Sequence, residues 1–331
     1  INYNELGVYV QGQKKLLEDR LKVTASARYD KAQNFDGNVS PRLSLSYAAG
    51  EDKNHNFRAS IQTGFRNPST QDQYIGLDAG AGILIGTAPD NIDRYRSLPF
   101  SLGINQGLAG YLNAVGGTNI GSTQVLTGDM AYNNSWSASS IGAFLASGNP
   151  ADLKKSNIDF VKPEFVTAYE VGYRGVIEGF TLDVSAYFNM YNDFIASRNA
   201  VAPLYGSVAL NDAVDIAPAV GSPVPMPTPV ALIALQSGDF KGVASDSNSD
   251  SDISSYGLGI GVSKKVFDGF NLGVNYTYAK FEETGGSNPD FEAGFNTPEH
   301  KVKVQFGKEK LLKNFGFNVN YRWQDSFLWE S

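Results

Sequence analysis

Alternation between apolar and polar residues recurs in ten segments of the sequence, and this period of two restricts the fold more than any other feature. Successive side chains of an extended strand point to opposite faces, so each segment has one apolar face and one polar face. In the longest segment every second residue from Phe180 to Met190 is apolar. A helical period of 3.6 residues does not preserve such a pattern. We therefore predict an all-β fold with ten strands.

The apolar runs of the chain are too short to form a helix that crosses a membrane. The run at residues 230–235 is far below the roughly 20 apolar residues that a spanning helix needs. In an outer-membrane β-barrel, lipid-facing and lumen-facing residues alternate along each strand instead. The pattern favours a transmembrane antiparallel β-barrel over a soluble β-protein. The predicted strands are residues 6–10, 21–29, 43–47, 57–65, 165–173, 180–190, 256–262, 272–278, 302–306 and 315–323.

The connections between these strands alternate in length. The short ones are residues 13–20, 48–55, 174–179, 267–269 and 307–314, and the longer ones are residues 31–40, 67–162, 195–255 and 281–299. Outer-membrane barrels have short periplasmic turns and long extracellular loops. This orientation places both ends of the chain outside the cell, whereas a complete barrel begins and ends in the periplasm. We therefore expect further segments to flank this one.

Aromatic residues flank the predicted strands at both ends, as expected for residues at the two membrane interfaces. Aromatic pairs in an ordinary β-core are the alternative explanation. Near the short turns lie Tyr47, Phe57, Tyr173, Phe180, Phe306 and Phe315. Near the longer loops lie Tyr29, Phe65, Met190, Tyr278 and Trp323.

The composition argues against several other classes of protein. The net charge of −7 does not suit a nucleic-acid partner. The chain has no cysteine, which excludes disulfides and thiolate metal sites. Neither of its two histidines, His55 and His300, has sequence neighbours that suggest a metal site or a catalytic triad. We predict no enzymatic activity and no cofactor.

Three blocks of sequence resemble the barrel of TonB-dependent outer-membrane receptors. The first is NELGVYVQGQKKLLEDRLKVTASARYD, at residues 4–30. The second is SPRLSLSYAAGEDKNHNFRASIQTGFRNPS, at residues 40–69. The third is VKPEFVTAYEVGYRG at residues 161–175, followed by FTLDVSAYFNMYNDFI at residues 180–195. Their order and spacing match the middle-to-late part of the family's barrel, and the long loops are not covered.

This resemblance implies a 22-stranded barrel with a plugged lumen. It also implies energy-coupled uptake of a scarce nutrient such as a siderophore, cobalamin, a glycan or a peptide. TonB, the inner-membrane partner, pulls on a short box ahead of the plug, and neither plug nor box is recognisable in residues 1–331. We therefore interpret residues 1–331 as one partial outer-membrane β-barrel domain, with long extracellular loops at about residues 67–162 and 195–255.

Seven charged residues fall on the predicted polar face, towards the lumen. They avoid lipid, where a charge at the midplane costs roughly 2–4 kcal/mol. They are expected to pair with one another or with a plug, and lining a substrate path is the functional alternative. The seven are Arg28, Arg58, Arg66, Glu170, Arg174, Asp183 and Arg322.

The stretch at residues 245–252 is the one candidate metal site in the sequence. Asp246, Asp250 and Asp252 occupy alternating positions and share a face of an extended chain. Their oxygens suit Ca²⁺, but the stretch lacks the glycine and the bidentate glutamate of an EF-hand. A solvated loop is the favoured interpretation.

The connection at residues 67–162 is long for one without structure of its own. We expect it to fold over the barrel mouth, where its aromatic residues Phe100, Tyr111 and Trp136 are candidates for substrate contact. A self-packed lid without a ligand is equally compatible with the sequence. In the connection at residues 195–255, the proline-rich part at residues 218–229 predicts stiff extended chain.

The sequence thus favours a segment of an outer-membrane receptor for TonB-dependent uptake. A passive porin-like channel is the first alternative, and a surface β-protein that only binds partners is the second. The expected partners are outer-membrane lipid, TonB through the missing plug region and, as a further possibility, a surface lipoprotein.

Overall fold

The computed structural model describes residues 3–80, 82–156, 158–286 and 294–329. Its strands are β1 (Glu5–Leu16), β2 (Leu21–Ala32), β3 (Asn38–Ala49), β4 (His55–Arg66), β5 (Gly76–Asp78), β6 (Ile83–Ile85), β7 (Phe100–Ser101), β8 (Thr123–Gln124), β9 (Trp136–Ser137), β10 (Glu164–Ile177), β11 (Phe180–Asn192), β12 (Ile195–Pro203), β13 (Ala213–Asp215), β14 (Pro227–Pro229), β15 (Phe240–Asn248), β16 (Asp252–Val266), β17 (Phe270–Thr284), β18 (His300–Leu312) and β19 (Phe315–Gln324). Its helices are α1 (Thr70–Tyr74), α2 (Asn91–Arg94), α3 (Gln106–Gly116), α4 (Gly128–Asn133), α5 (Ala138–Ser147), α6 (Ala217–Val220) and α7 (Val230–Gln236), with a 3₁₀ turn at Pro150–Asp152. None of the helices within these described ranges is long and apolar enough to cross a membrane.

Ten long strands form a single antiparallel sheet, which we call the wall. Their order is β1, β2, β3, β4, β10, β11, β16, β17, β18 and β19. Each of the ten predicted segments lies within one of these strands, so the prediction of ten strands is confirmed. The wall follows chain order because the residues between β4 and β10, and between β11 and β16, leave the sheet and return beside the strand they left.

Four of the five turns at one end of the wall are shorter than predicted, and the turn at residues 267–269 is as predicted. They comprise residues 17–20, 50–54, 178–179, 267–269 and 313–314, because strand pairing continues beyond the alternating segments. Glu178 and Gly179 have φ angles of +49° and +79°, the left-handed pair that a two-residue hairpin turn requires. At the other end, the predicted connection at residues 31–40 is shorter in the structure. β2 pairs with β3 as far as Asp30 and Asn38, the last two residues of β2 pair with β1, and residues 33–37 lie between the two strands. Part of the predicted loop at residues 281–299 lies outside the described residues.

The register of the wall is staggered, as it must be when strands tilt in a barrel. One continuous row of paired positions crosses nine strands on the apolar face. Phe57 is the third residue of its strand and lies near the short turns, whereas Trp323 in the same row is the ninth of ten in β19. The row consists of Leu21, Tyr47, Phe57, Tyr173, Val184, Ile260, Tyr276, Val302 and Trp323. The same row therefore contains aromatic residues predicted for both membrane interfaces. Tyr47, Phe57 and Tyr173 lie near the short turns, and Trp323 lies near the opposite end of its strand.

The hydrophobic core lies in the two long connections, residues 67–163 and 193–251. They fold together, and we call this unit the loop domain. Its largest buried cluster has ten residues from each connection, among them Ile85, Leu112, Leu126, Val230 and Ile233. Most of the apolar face of the wall, by contrast, is exposed or half-buried.

Candidate functional site

A shared sheet joins the two connections into the loop domain. Its order is β5, β6, β15, β12 and β9, in which β12 and β15 come from the second connection and the others from the first. The central pair, β15 and β6, is parallel, with Val243 opposite Ile83. The proline-rich part, predicted to be extended, is extended only at β14, because Pro218 lies in the first turn of α6, a position where proline fits a helix. Neither connection is an unstructured loop.

The carboxylate of Asp239 fixes the two connections to each other. Its side chain is buried, and its Oδ1 accepts a hydrogen bond from the backbone N–H of Gly103 at 2.5 Å. Its Oδ2 accepts from the N–H of Ile104 at 3.1 Å and from the Tyr205 hydroxyl at 2.7 Å. Burial raises the pKa of Tyr205, and the bond to Asp239 raises it further. A Cβ atom at Gly103 would lie 2.3 Å from the carbonyl oxygen of Ser237, so the close approach requires glycine.

A second set of polar contacts fastens the base of the loop domain to the wall. The Arg66 guanidinium at the end of β4 lies 2.8 Å from the carboxylate of Glu164 at the start of β10. The same carboxylate oxygen accepts the N–H of Ile195 at 3.0 Å, while Arg66 donates to the Ile195 carbonyl at 3.2 Å. Asn248 adds bonds to the backbone of Lys162 and Asp193. The points where both connections leave and rejoin the wall are thus tied together.

The three aromatic residues predicted to contact substrate bridge the two connections instead. Trp136 is 1% exposed and packs against Val208 and Ala231, so its side chain is covered in this structure. Tyr111 is half-buried, and its hydroxyl donates to the carbonyl of Asp215 at 2.9 Å.

Phe100 is the third of these aromatic residues and is also half-buried. Its ring lies below the ammonium of Lys241, with 3.9 Å between Nζ and the ring centroid. The partner residue again belongs to the other connection, more than a hundred positions away in sequence. A sequence pattern within one segment does not predict such distant partners.

The candidate calcium site at residues 245–252, the alternative to a solvated loop, does not lie on one continuous strand. β15 ends at Asn248 and β16 begins at Asp252, so the chain is not one extended strand across Asp246, Asp250 and Asp252. Within the described ranges no group of three His, Cys, Asp or Glu side chains is placed to hold a metal ion.

Asp246 is half-buried within the loop domain and is not part of a solvated loop. Burial raises the pKa of its carboxyl group above the ordinary value of 3.8, and the nearby carboxylate of Asp72 raises it further. The Arg66 guanidinium acts in the opposite direction. The folded loop domain therefore disfavours the ionised form of Asp246.

The structure places all seven predicted charged residues on the polar face of the wall, and several of them pair. Asp183 lies between two guanidinium groups, 3.2 Å from Arg58 and 4.0 Å from Arg174. Closer to the loop domain, the Ser60 hydroxyl donates to Glu170 at 3.3 Å. Opposite charges on facing strands therefore compensate one another over β4, β10 and β11.

Arg28 lies near the long-connection end of the same face. Its guanidinium is 2.7 Å from the carboxylate of Asp30. Both residues line a cavity of about 440 Å³, together with Asn67, where the first long connection begins. The Oδ1 atom of Asn67 is buried and has no hydrogen-bond partner. The cavity therefore offers polar atoms directly below the loop domain.

The charge arrangement differs on β18 and β19. Arg322 lies directly opposite Lys303, on the row of paired positions that also contains Arg174 and Asp183. Like charges in such a pair destabilise a sheet. Lys301 adds a third positive charge two residues along β18, and none of the three has an acidic partner within 4 Å in the part of the chain that the structure describes. We call Lys301, Lys303 and Arg322 the basic patch.

Of the three residues of this patch, only Arg322 was among the predicted lumen-facing charges. The signal for the other two was present, because Lys301 and Lys303 alternate with the apolar residues Val302 and Val304. Their position opposite Arg322 depends on the register between β18 and β19, which a pattern within one strand does not reveal.

Ten antiparallel strands with one apolar and one polar face, short turns at one end and folded long connections at the other, define the wall of an outer-membrane β-barrel. The family model described as "TonB dependent receptor-like, beta-barrel" matches residues 1–330. The chain belongs to this family, as its three resembling blocks predicted.

Similar solved structures include the siderophore receptor PirA from Acinetobacter baumannii, with a TM-score of 0.50 and 12% identity over 97% of this chain and 33% of that one. A mutant of the ferric enterobactin receptor PfeA from Pseudomonas aeruginosa, in complex with enterobactin, has a TM-score of 0.51 and 15% identity over 97% of this chain and 33% of that one. The chain thus spans about a third of the length of these receptors and shares their fold. No curated protein sequence matches the chain.

Proposed function

We propose that the chain forms part of the wall and the outer gate of an outer-membrane receptor for TonB-dependent nutrient uptake. The apolar face of the wall lies against lipid, the polar face lines the lumen, and the short turns are periplasmic. TonB acts through a plug region supplied by the rest of the protein. The family to which the chain belongs supports this assignment.

The main support for this proposal is that the two long connections fold together into one unit. Passive diffusion does not need a buried core shared between two connections, nor a buried carboxylate that fixes one to the other. A rigid body over the lumen, fastened at its base by Arg66 and Glu164, serves instead to capture a ligand and to control access. We infer that substrate binds between this body and the polar face below it, beside the cavity at Arg28 and Asn67.

The charges of the polar face favour an anionic cargo. The basic patch presents three cationic side chains that the described part of the wall leaves without a carboxylate. A ferric siderophore of the catecholate type is anionic and matches this charge. The similar receptors PirA and PfeA are named for siderophores and for ferric enterobactin, which supports the same class for this chain.

Equilibrium binding to the full-length protein tests this function. The ligands are a ferric catecholate, a ferric hydroxamate of neutral charge and cobalamin, each titrated in detergent at low and high salt. We expect the ferric catecholate to bind most tightly, and its affinity to fall with salt as screening weakens exposed charges. Asp239→Ala, which loosens the loop domain, should weaken binding, whereas Asp93→Asn on the exposed surface should not. Equal affinity for all three ligands, or none, would contradict the proposal.

A further inference from the structure

Two lysines lie on the apolar face of the wall, at its short-turn end. Lys264 of β16 is paired with Phe180 on one side and Leu272 on the other. Lys308 of β18 is paired with Phe317. All three partners belong to the apolar face, so the two ammonium groups emerge among apolar side chains and away from the lumen.

Aromatic rings hold both ammonium groups. The Nζ atom of Lys264 lies 3.8 Å from the centroid of the Phe180 ring, and that of Lys308 lies 4.8 Å from the centroid of Phe270. Phe270 in turn stacks on Phe306, with 5.2 Å between the ring centroids. A cation over a ring face is attracted to it. Neither lysine has a carboxylate within 4 Å among the described residues.

The position of these lysines along the strands is specific. From Lys264 towards the loop domain, the same face of β16 continues with Val262 and Ile260, and from Lys308 it continues with Phe306 and Val304. Each lysine therefore marks the border between the apolar face and the short turns. The positive charges near these turns outnumber the negative ones. Residues 264–268 and 308–313 contain five lysines, one aspartate and one glutamate, and the neighbouring turn adds Glu178.

We propose that this rim, formed by Lys264, Lys308 and their phenylalanines, is a binding site for the headgroup of an anionic glycerophospholipid. The headgroup phosphate accepts a hydrogen bond from an ammonium group of this rim, and the acyl chains lie along Leu272, Val274 and their neighbours. The inference rests on the proposed membrane placement of the wall. A free anion would use the lysines but not the rings and the apolar rows above them, so the surface fits a lipid of the leaflet on the short-turn side.

Native mass spectrometry of the full-length protein in a non-ionic detergent tests this site. Dioleoylphosphatidylglycerol is titrated against dioleoylphosphatidylcholine as the zwitterionic reference. We expect the anionic lipid to bind preferentially, and Lys264→Gln and Lys308→Gln each to weaken it about five-fold. Phe270→Leu, which keeps apolar area but removes the ring below Lys308, should weaken it by less. Lys22→Gln removes the same charge from the polar face of β2, beside another short turn, and should leave lipid binding unchanged.

Several results would overturn the site. They are unchanged affinity in the double variant Lys264→Gln/Lys308→Gln, an equal loss in Lys22→Gln, and displacement of the lipid by inorganic phosphate. Protease protection of the wild-type protein in phosphatidylcholine vesicles distinguishes failure of the lipid site from failure of the proposed membrane placement of the wall. A protein that inserts normally while its lysine variants keep full affinity contradicts only the lipid site. A protein that fails to insert contradicts both the site and the proposed function.

Discussion

The Arg66 guanidinium lies 2.8 Å from the Glu164 carboxylate across the base of the loop domain, although 98 positions separate the two residues in sequence. Glu164 is buried and also accepts the backbone N–H of Ile195. One carboxylate therefore joins the last residue of β4, the first of β10 and the first of β12. This arrangement makes Glu164 the residue on which the attachment of the loop domain depends most.

We expect Glu164→Ala to destabilise the loop domain relative to the wall by about 1–3 kcal/mol, because the substitution leaves a buried N–H without an acceptor and a cation without its partner. Hydrogen exchange of residues 67–163 and 193–251 measures the change. Asp90→Ala removes an exposed ion pair with Arg94 within the same domain, and such pairs contribute at most about 1 kcal/mol. Equal exchange rates in the two variants would contradict a special role for Glu164.

Asp239 should be the most sensitive single position inside the loop domain. Asp239→Ala removes the acceptor of three hydrogen bonds at once, and bonds to a charged group contribute about 1.5–3 kcal/mol each. We expect a loss of at least about 3 kcal/mol in the unfolding free energy of the loop domain. Near-ultraviolet circular dichroism during urea unfolding reports it. Tyr205→Phe, which deletes one of the three bonds, should cost distinctly less, and the opposite ranking would contradict this account.

Ionisation of Asp246 should lower the stability of the loop domain as the pH rises past the ordinary pKa of an aspartate. The pKa of Asp246 is raised in the folded state, so between the unfolded and folded values the folded state binds more protons. Stability then falls as pH increases. Asp246→Asn abolishes this dependence and should stabilise the domain at pH 7 but not at pH 3. Urea unfolding at both pH values measures the difference, and a variant that gains nothing at pH 7 would exclude the effect.

The wall could be predicted from the sequence because its signal is local. Alternation such as that from Phe180 to Met190 is a property of one strand and does not depend on which strands pair with it. The connection at 33–37 was overestimated because the predicted alternation stops at Tyr29 and resumes only at Leu43, whereas backbone pairing continues to Asp30 and Asn38.

The candidate site could not be predicted in the same way. Trp136 resembles an exposed ligand contact when it is read alone, but Val208 and Ala231 from the other connection bury it. The ion pair of Arg66 with Glu164 also depends on a contact between distant segments. Alternation within a strand does not contain this information, because the first contact arises only when the two connections fold together and the second depends on which strand lies beside β4.

Reversing one charge of the basic patch tests the like-charged pair of Lys303 and Arg322. Lys303→Glu places opposite charges on facing positions and should stabilise the wall by about 0.2–1 kcal/mol. The same variant should weaken binding of a ferric catecholate, because it lowers the positive charge of the patch by two. Unfolding in phosphatidylcholine vesicles measures the first effect and ligand titration the second. A destabilised wall would contradict the register, and unchanged binding would contradict a role for the patch.

Energy-dependent uptake by living cells tests the central claim most directly. Cells that lack their own catecholate receptors and express the full-length protein are supplied with ⁵⁵Fe bound to a catecholate siderophore, and cell-associated iron is counted with and without TonB. The account predicts accumulation only in TonB-containing cells, with surface binding retained when TonB is absent and accumulation reduced by Asp239→Ala. Equal accumulation in the two strains would show a passive pore and would contradict the account.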